Sequence, residues 1–317
     1  MSEADHAVND GAPLAIICGG GNFPHAVADA VAASGRRIIL FGLTGWADPA
    51  AMARYPHHWA RLGQFGRFRR LARAEGCREV VFIGSLVRPS IGQLRPDLTT
   101  LRLLPRIVAL FRGGDDHLLT GIARIFEEQG FRLLGAHEVA PEILVPEGTL
   151  GRHRPLARDL ADIEHGLKLI AAIGPFDVGQ AVVIADGRVI AVEAAEGTDA
   201  MLARVADMRR AGRIVLPEHV GVLIKATKPG QDRRLDLPSV GASTVAAAAA
   251  AGLAGIAVEA KGAITDDLEK LIRAADAAGL FVVGVPAGAP RASSCRAQAS
   301  MSSWSPAKRR VTCSAPA

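Results

Sequence analysis

One tyrosine among 317 residues, with aromatics at 4% overall, leaves no platform of rings on which nucleic-acid bases could stack. A basic body is missing too. The net charge of +5 is carried by Arg291, Arg296, Lys308, Arg309 and Arg310, in a tail that holds no acid. The body before that tail is neutral, so we expect no nucleic-acid partner. The four cysteines, Cys18, Cys77, Cys295 and Cys313, show no C-x-x-C spacing, which implies neither a disulfide framework nor a zinc knuckle. Ala242 to Val258 runs 17 residues without a charge, but it is mainly Ala and Gly. Gly252 and Gly255 divide it into the end of a helix and the start of a strand, so no transmembrane segment is expected. The N-terminus, MSEADHAVNDGAP, is acidic and polar where a signal peptide would be basic and then apolar, and a cytoplasmic location follows as an expectation. Several chemistries lack their signatures: there is no G-x-x-x-x-G-K-[ST] phosphate loop, no H-E-x-x-H pair and no G-x-S-x-G serine elbow.

What is present is an alternation of short apolar runs with amphipathic stretches. Leu14–Cys18, Arg37–Phe41 and Glu79–Ile83 read as buried strands, with helices at Pro24–Ser34 and Phe65–Glu75 between them. Ile107–Arg112 and Asp116–Gln129 read as helices, the second capped by Asp115. This order predicts a parallel, doubly wound α/β sheet over residues 1–136. The periodicity fades between 137 and 158, a passage between domains. A second, mixed α/β domain is expected over 159–286: a helix at Asp162–Ile173, a hairpin around Asp186-Gly187 and a helix at Asp199–Met208 capped by Thr198. Strands at Val220–Ala226, Gly255–Glu259 and Leu280–Val285 follow, separated by helices at Ser243–Ala251 and Thr265–Ala278. Residues 287–317, rich in Ala, Ser, Arg and Pro, are expected to be a disordered tail.

Three clusters carry candidate chemistry. AIICGGGNFP places Gly19, Gly20 and Gly21 between a strand and a helix, where backbone N–H groups can meet an anion. Pro24 occupies the third glycine position of a dinucleotide fingerprint and no acid ends the next strand, so a nicotinamide site is disfavoured, and a simple tight turn is the competing reading. KPGQDRRLDLPSVG, Lys228 to Gly241, leaves the carboxyl end of a strand, the edge at which open α/β sheets bind ligands. Lys225 and Lys228 can balance phosphate charge, and Asp232 and Asp236 can hold a hard cation through oxygen. Exposed ion pairs between Asp232 and Arg233 or Arg234 are the alternative. In EAAEGTDAML, Glu193 and Glu196 could join a metal shell or bind sugar hydroxyls, whereas Thr198 and Asp199 suit a helix start.

Seven motifs occur in a consistent order: AIICGGGNFP, GSLVRP, GDDHLL, GAHEV, DVGQAVV, EAAEGTDAML and KATKPGQDRRLDLPSVG. With them the chain resembles the LpxI-type UDP-2,3-diacylglucosamine pyrophosphatase family over roughly residues 13 to 286. The resemblance implies a Rossmann-like first domain, a family-specific second domain and a homodimer. It also implies Mg²⁺-dependent hydrolysis of UDP-2,3-diacylglucosamine to UMP and 2,3-diacylglucosamine 1-phosphate (lipid X) in lipid A synthesis. The essential aspartate of the family would be Asp236, with Lys225 and Lys228 near the phosphates and Asp232 a second metal-ligand candidate. Gln180, in the matching DVGQAVV, and Gly19 to Gly21, Glu193, Glu196, Thr198 and Asp199 are then substrate-binding candidates. A lipid substrate implies peripheral contact with the inner membrane. The alternative is a nucleotide- or lipid-binding module without catalysis.

Overall fold

The computed structural model describes residues 11–86, 94–112 and 114–287. The first domain contains β1 (Leu14–Cys18), α1 (Phe23–Ala33), β2 (Ile38–Leu43), α2 (Pro49–Met52), β3 (His57–Ala60), α3 (Phe65–Ala74) and β4 (Glu79–Ile83). It continues through α4 (Leu98–Leu110), α5 (Asp115–Glu128) and β5 (Arg132–Leu134). All five strands are parallel, in the order β3-β2-β1-β4-β5. Every residue of β1 is buried because the sheet is covered on both faces. Leu14, Ile16 and Cys18 pack with Val27 and Val31 of α1, while Ala15 and Ile17 point the other way, to Phe68 of α3 and Phe126 of α5.

Strands β3 and β5 escape a reading by periodicity. Both lie at the ends of the sheet, and they are short, with sequences HHWA and RLL that carry no apolar alternation. Helix α4 begins nine residues before the expected Ile107: Asp97 accepts the Thr100 N–H at 2.8 Å, and Pro105 lies inside the helix rather than ending it. Helix α5 starts one residue early, with Gly114 at its cap, so Asp115 sits in the first turn beside Asp116, where acid favours the positive end of the helix.

Residues 137–158 are not featureless. α6 (Ala136–Val139) and a 3₁₀ turn at Pro141–Ile143 lead to β6 (Gly148–Leu150), which pairs antiparallel with the last strand. The second domain then runs α7 (Ala157–Ile173), β7 (Ala181–Ala185), β8 (Arg188–Val192), α8 (Gly197–Arg210) and β9 (Val222–Lys225). It closes with α9 (Ala242–Ala250), β10 (Gly255–Glu259), α10 (Leu268–Ala278) and β11 (Phe281–Val285). Its mixed sheet is ordered β6-β11-β10-β9-β7-β8, with β9, β10 and β11 parallel and β7-β8 a hairpin. Helix α10 starts at Leu268, not Thr265, because Asp267 caps it by accepting the Lys270 N–H. Alternate β9 residues serve opposite layers: Leu223 faces α8, α9 and α10, and Val222 and Ile224 face α7.

The domains share a core. Ile264 of the second domain is buried in the cluster formed by β1, β2 and α1 of the first, and Leu237 packs at its edge. Of the expected tail, residues 288–317 lie outside the described residues, as do Val87 to Pro89 of the GSLVRP motif. None of the helices in the described residues is long and apolar enough to cross a membrane.

Candidate active site in the interdomain cleft

Both parallel strand systems direct their carboxyl ends at one cleft of about 1050 Å³. The first domain supplies Gly19 to Phe23 after β1, Leu43 at the end of β2 and Gly84 to Leu86 after β4. The second supplies Lys225 at the end of β9, the Arg233–Leu237 segment, and Glu196 to Asp199 at the start of α8.

The glycine cluster shapes this cleft more than it offers donors. Gly19 and Gly20 donate their N–H groups to the carbonyls of Ile83 and Ser85, at 2.9 and 2.8 Å, which corrects the reading of both as free anion contacts. A Cβ at Gly19 would lie 2.7 Å from the Ser85 carbonyl oxygen, so only glycine lets the two loops meet. Gly21, at φ +83°, turns the chain into α1. Gly19→Val should therefore destabilise the protein by about 1–3 kcal/mol, seen as a lower urea midpoint at an unchanged slope.

Asp236 stands at the centre of the second-domain wall. Its Oδ2 accepts hydrogen bonds from the side-chain amides of Gln180 and Gln231, the latter at 2.6 Å, and its backbone carbonyl accepts from the same Gln231 amide at 3.1 Å. Oδ1 accepts no hydrogen bond among the described residues. The Gln180 Oε1 is buried and also has no partner among them. Burial pushes the Asp236 carboxyl above its ordinary pKa, against the opposing charge of Lys228 and the Gln180 hydrogen bond. Lys225 is 6% exposed and donates to the Ser239 carbonyl at 2.7 Å. Burial lowers its pKa, although Glu193, Asp199 and Asp236 hold it up.

The remaining candidates divide into those that reach the cleft and those that are committed elsewhere. Asp232 accepts from the Arg234 guanidinium with both oxygens, and that hydrogen bonding holds its carboxyl below the usual range. Arg234 also reaches across the domains to Glu127 at 2.8 Å. Lys228 forms an ion pair with Asp177 and lines a separate recess of about 350 Å³, which it shares with Asp116 and Gln231. Glu193 accepts from the Gln180 N–H at 2.8 Å and from the Thr198 hydroxyl at 2.7 Å. Thr198 therefore does not cap α8; Glu196 occupies that position without a side-chain capping bond, and it pairs with Arg204 at 2.7 Å. Asp199 lines the cleft from the first turn of α8. Gln231 is the site residue that the sequence reading omitted. Its signal was a Gly-Gln step in PGQ, the same step that places Gln180 in VGQ.

Fold and site together define a two-domain α/β protein whose candidate chemistry sits between its domains. Residues 13–143 match the LpxI N-terminal domain and residues 146–283 match the LpxI C-terminal domain. The UDP-2,3-diacylglucosamine pyrophosphatase LpxI of Caulobacter vibrioides is 45% identical over 272 residues, which span 86% of this chain and 97% of that protein. The chain belongs to the LpxI family. A solved UDP-glucose 4-epimerase complex with NAD from Thermus thermophilus overlaps 86% of both chains at 15% identity and a TM-score of 0.27, a likeness too small to bear on fold or ligand.

Proposed function

We propose that this chain hydrolyses the pyrophosphate of UDP-2,3-diacylglucosamine to UMP and 2,3-diacylglucosamine 1-phosphate, with Mg²⁺ as its cofactor. One observation carries the reading. A partly buried carboxylate, Asp236, lines the cleft, is held through one oxygen by two amides, and accepts no hydrogen bond on the other among the described residues. The free carboxylate oxygen is the kind of donor a hard cation requires, and Mg²⁺ commonly takes one or two carboxylates with substrate oxygens and water completing its shell. Asp232 is left out of the ligand set because Arg234 occupies both of its oxygens.

Bound there, Mg²⁺ would neutralise non-bridging phosphate oxygens and orient water. The chain's own groups account for the rest. The buried Lys225 ammonium has donors beyond the one spent on Ser239, and in a site of low polarity its charge acts strongly on a nearby phosphate. Gln180 keeps Asp236 in place through its amide hydrogen bond to Oδ2. Water oxygen bonds to one phosphorus, the bridging P–O bond breaks with its electron pair leaving on the departing phosphate, and the water's protons pass to the product phosphates and solvent. Glu193 and Thr198 fix the backbone of Gln180, so they serve the site through it. Lys228, locked against Asp177, steadies the loop that bears Gln231.

The direct test incubates the purified protein with UDP-2,3-diacylglucosamine, with Mg²⁺ or EDTA, and identifies products by mass spectrometry. Release of UMP with Mg²⁺ alone is expected; tight binding without product would favour the non-catalytic module. Gln231→Leu should lower Mg²⁺ affinity or turnover by about 10–100-fold in a protein that still folds, with a modest fall in melting temperature from the hydrogen bonds lost. Gln231→Glu should be worse, because it sets a second carboxylate against Asp236. The homodimer belongs to the same proposal, and equilibrium sedimentation at twice the chain mass is its check.

A further inference from the structure

Helix α4 departs from the rule that a surface face is polar. Its outward positions, 98, 101, 102, 105, 106 and 109, follow helical spacing and carry Leu, Leu, Arg, Pro, Arg and Ala. Leu98 is 80% exposed and Leu101 52%, while Thr100 and Ile107 on the opposite side are buried. No acid lies within the helix. Arg106 pairs with Glu128, but exposed Arg95, Arg102 and Arg112 form no ion pair among the described residues.

The position of this face ties it to the cleft. Asp97, at the start of α4, accepts the Arg67 N–H at 2.8 Å, and Thr100 accepts the Phe65 N–H at 3.1 Å. These bonds join the start of α4 to the start of α3, which follows the carboxyl end of β3. The exposed leucines thus lie on the carboxyl-end side of the first sheet, the side from which Gly19, Leu43 and Gly84 line the cleft. Leu86, after β4 on the same side, lines the cleft and is 40% exposed.

We propose that α4 is the surface on which this protein meets an anionic lipid bilayer, with Leu98 and Leu101 among the acyl chains and Arg95, Arg102 and Arg112 at the headgroups. The inference rests on the reading that the substrate is a diacyl lipid, which must leave a bilayer to reach the cleft. Apolar side chains beside these arginines suit such a surface, because buried apolar area and attraction to anionic headgroups act together. A protein partner of mixed charge would leave the acid-free character of the helix unexplained.

The test floats the full-length protein with vesicles of phosphatidylglycerol and phosphatidylethanolamine, and with vesicles of phosphatidylcholine alone. Wild type should float with the anionic vesicles only, and Leu98→Asp/Leu101→Asp should reduce the bound fraction by about tenfold. Arg102→Glu, a milder change at an exposed site, should weaken binding to the anionic vesicles, and added salt should weaken the binding of wild type. Turnover of substrate presented in vesicles should drop with binding, while turnover of a water-soluble short-acyl analogue stays at the wild-type rate. Equal flotation of wild type and the leucine variant, or flotation that ignores lipid charge, would overturn the proposal. So would a leucine variant that changes the sedimentation mass but not vesicle binding, since the face would then be a protein contact. Failure to turn over the short-acyl analogue would instead count against the hydrolase reading, and flotation would still decide the membrane surface.

Discussion

Asp236→Asn is expected to lower Mg²⁺-dependent UMP release by roughly 10³-fold while the protein remains folded, a loss on the scale seen when one charge-stabilising group is removed from an active site. Asparagine has nearly the same shape and can still accept the Gln180 and Gln231 amides through its carbonyl oxygen, so the loop keeps its course. What disappears is the negative charge assigned above to the proposed metal and phosphate site. Burial raises the folded-state pKa of Asp236 above its unfolded value, so the ionised carboxylate weakens the fold at every pH above that folded pKa. Asparagine carries no such charge, and its melting temperature at neutral pH should equal or exceed that of wild type. Calorimetry beside a discontinuous product assay measures both. A variant that keeps more than about a tenth of wild-type turnover would remove Asp236 from the proposed centre.

Lys225→Met should show the same opposition of activity and stability. Methionine fills a similar volume without a charge, so turnover should fall by about 10²–10³-fold with the loss falling on kcat. Burial lowers the folded-state pKa of Lys225 below its ordinary 10.5. Its charged form therefore destabilises the fold at pH values beneath the folded pKa, and this penalty fades as pH rises from there towards 10.5. The stability advantage of the methionine variant should accordingly be greatest near neutral pH and shrink in alkaline solution. The pH profile supplies an independent reading. Wild-type kcat/KM should decline on an alkaline limb with a midpoint below 10.5, and the residual activity of the variant should lack it. An identical limb in both proteins would assign it to another group.

The two cysteines among the described residues fit none of this chemistry. Cys18 and Cys77 are both buried, and burial pushes their thiols up to about 12 and about 11, so neither supplies a thiolate near neutral pH.

Much of the architecture is legible in local pattern. Strands β1, β2 and β10 are short buried runs between helix starts and glycine stops, and their apolar content is dictated by the layers that cover both faces. The Asp186-Gly187 turn announces its hairpin because Asp186, at φ +47°, and Gly187, at φ +74°, adopt the left-handed backbone that such a turn requires. Edge strands β3, β5 and β6 give no such signal, for each is three or four residues long and is stabilised by a neighbour distant in sequence. Helix α4 was obscured by Pro105, a local breaker tolerated because the helix packs against α3 and α5.

By itself the sequence determined the alternation of elements, the loop after β9 as the charged carboxyl-end segment, and the candidacy of Asp236 and Lys225. Each of these depends on residues close together along the chain or on residue type. Only the tertiary structure decided which charges are available to a ligand. It set Arg234 against Asp232, Lys228 against Asp177, and the amides of Gln180 and Gln231 against one oxygen of Asp236. The physical reason is that partner choice is a matter of distance and burial across two domains, and a linear pattern of charges contains neither.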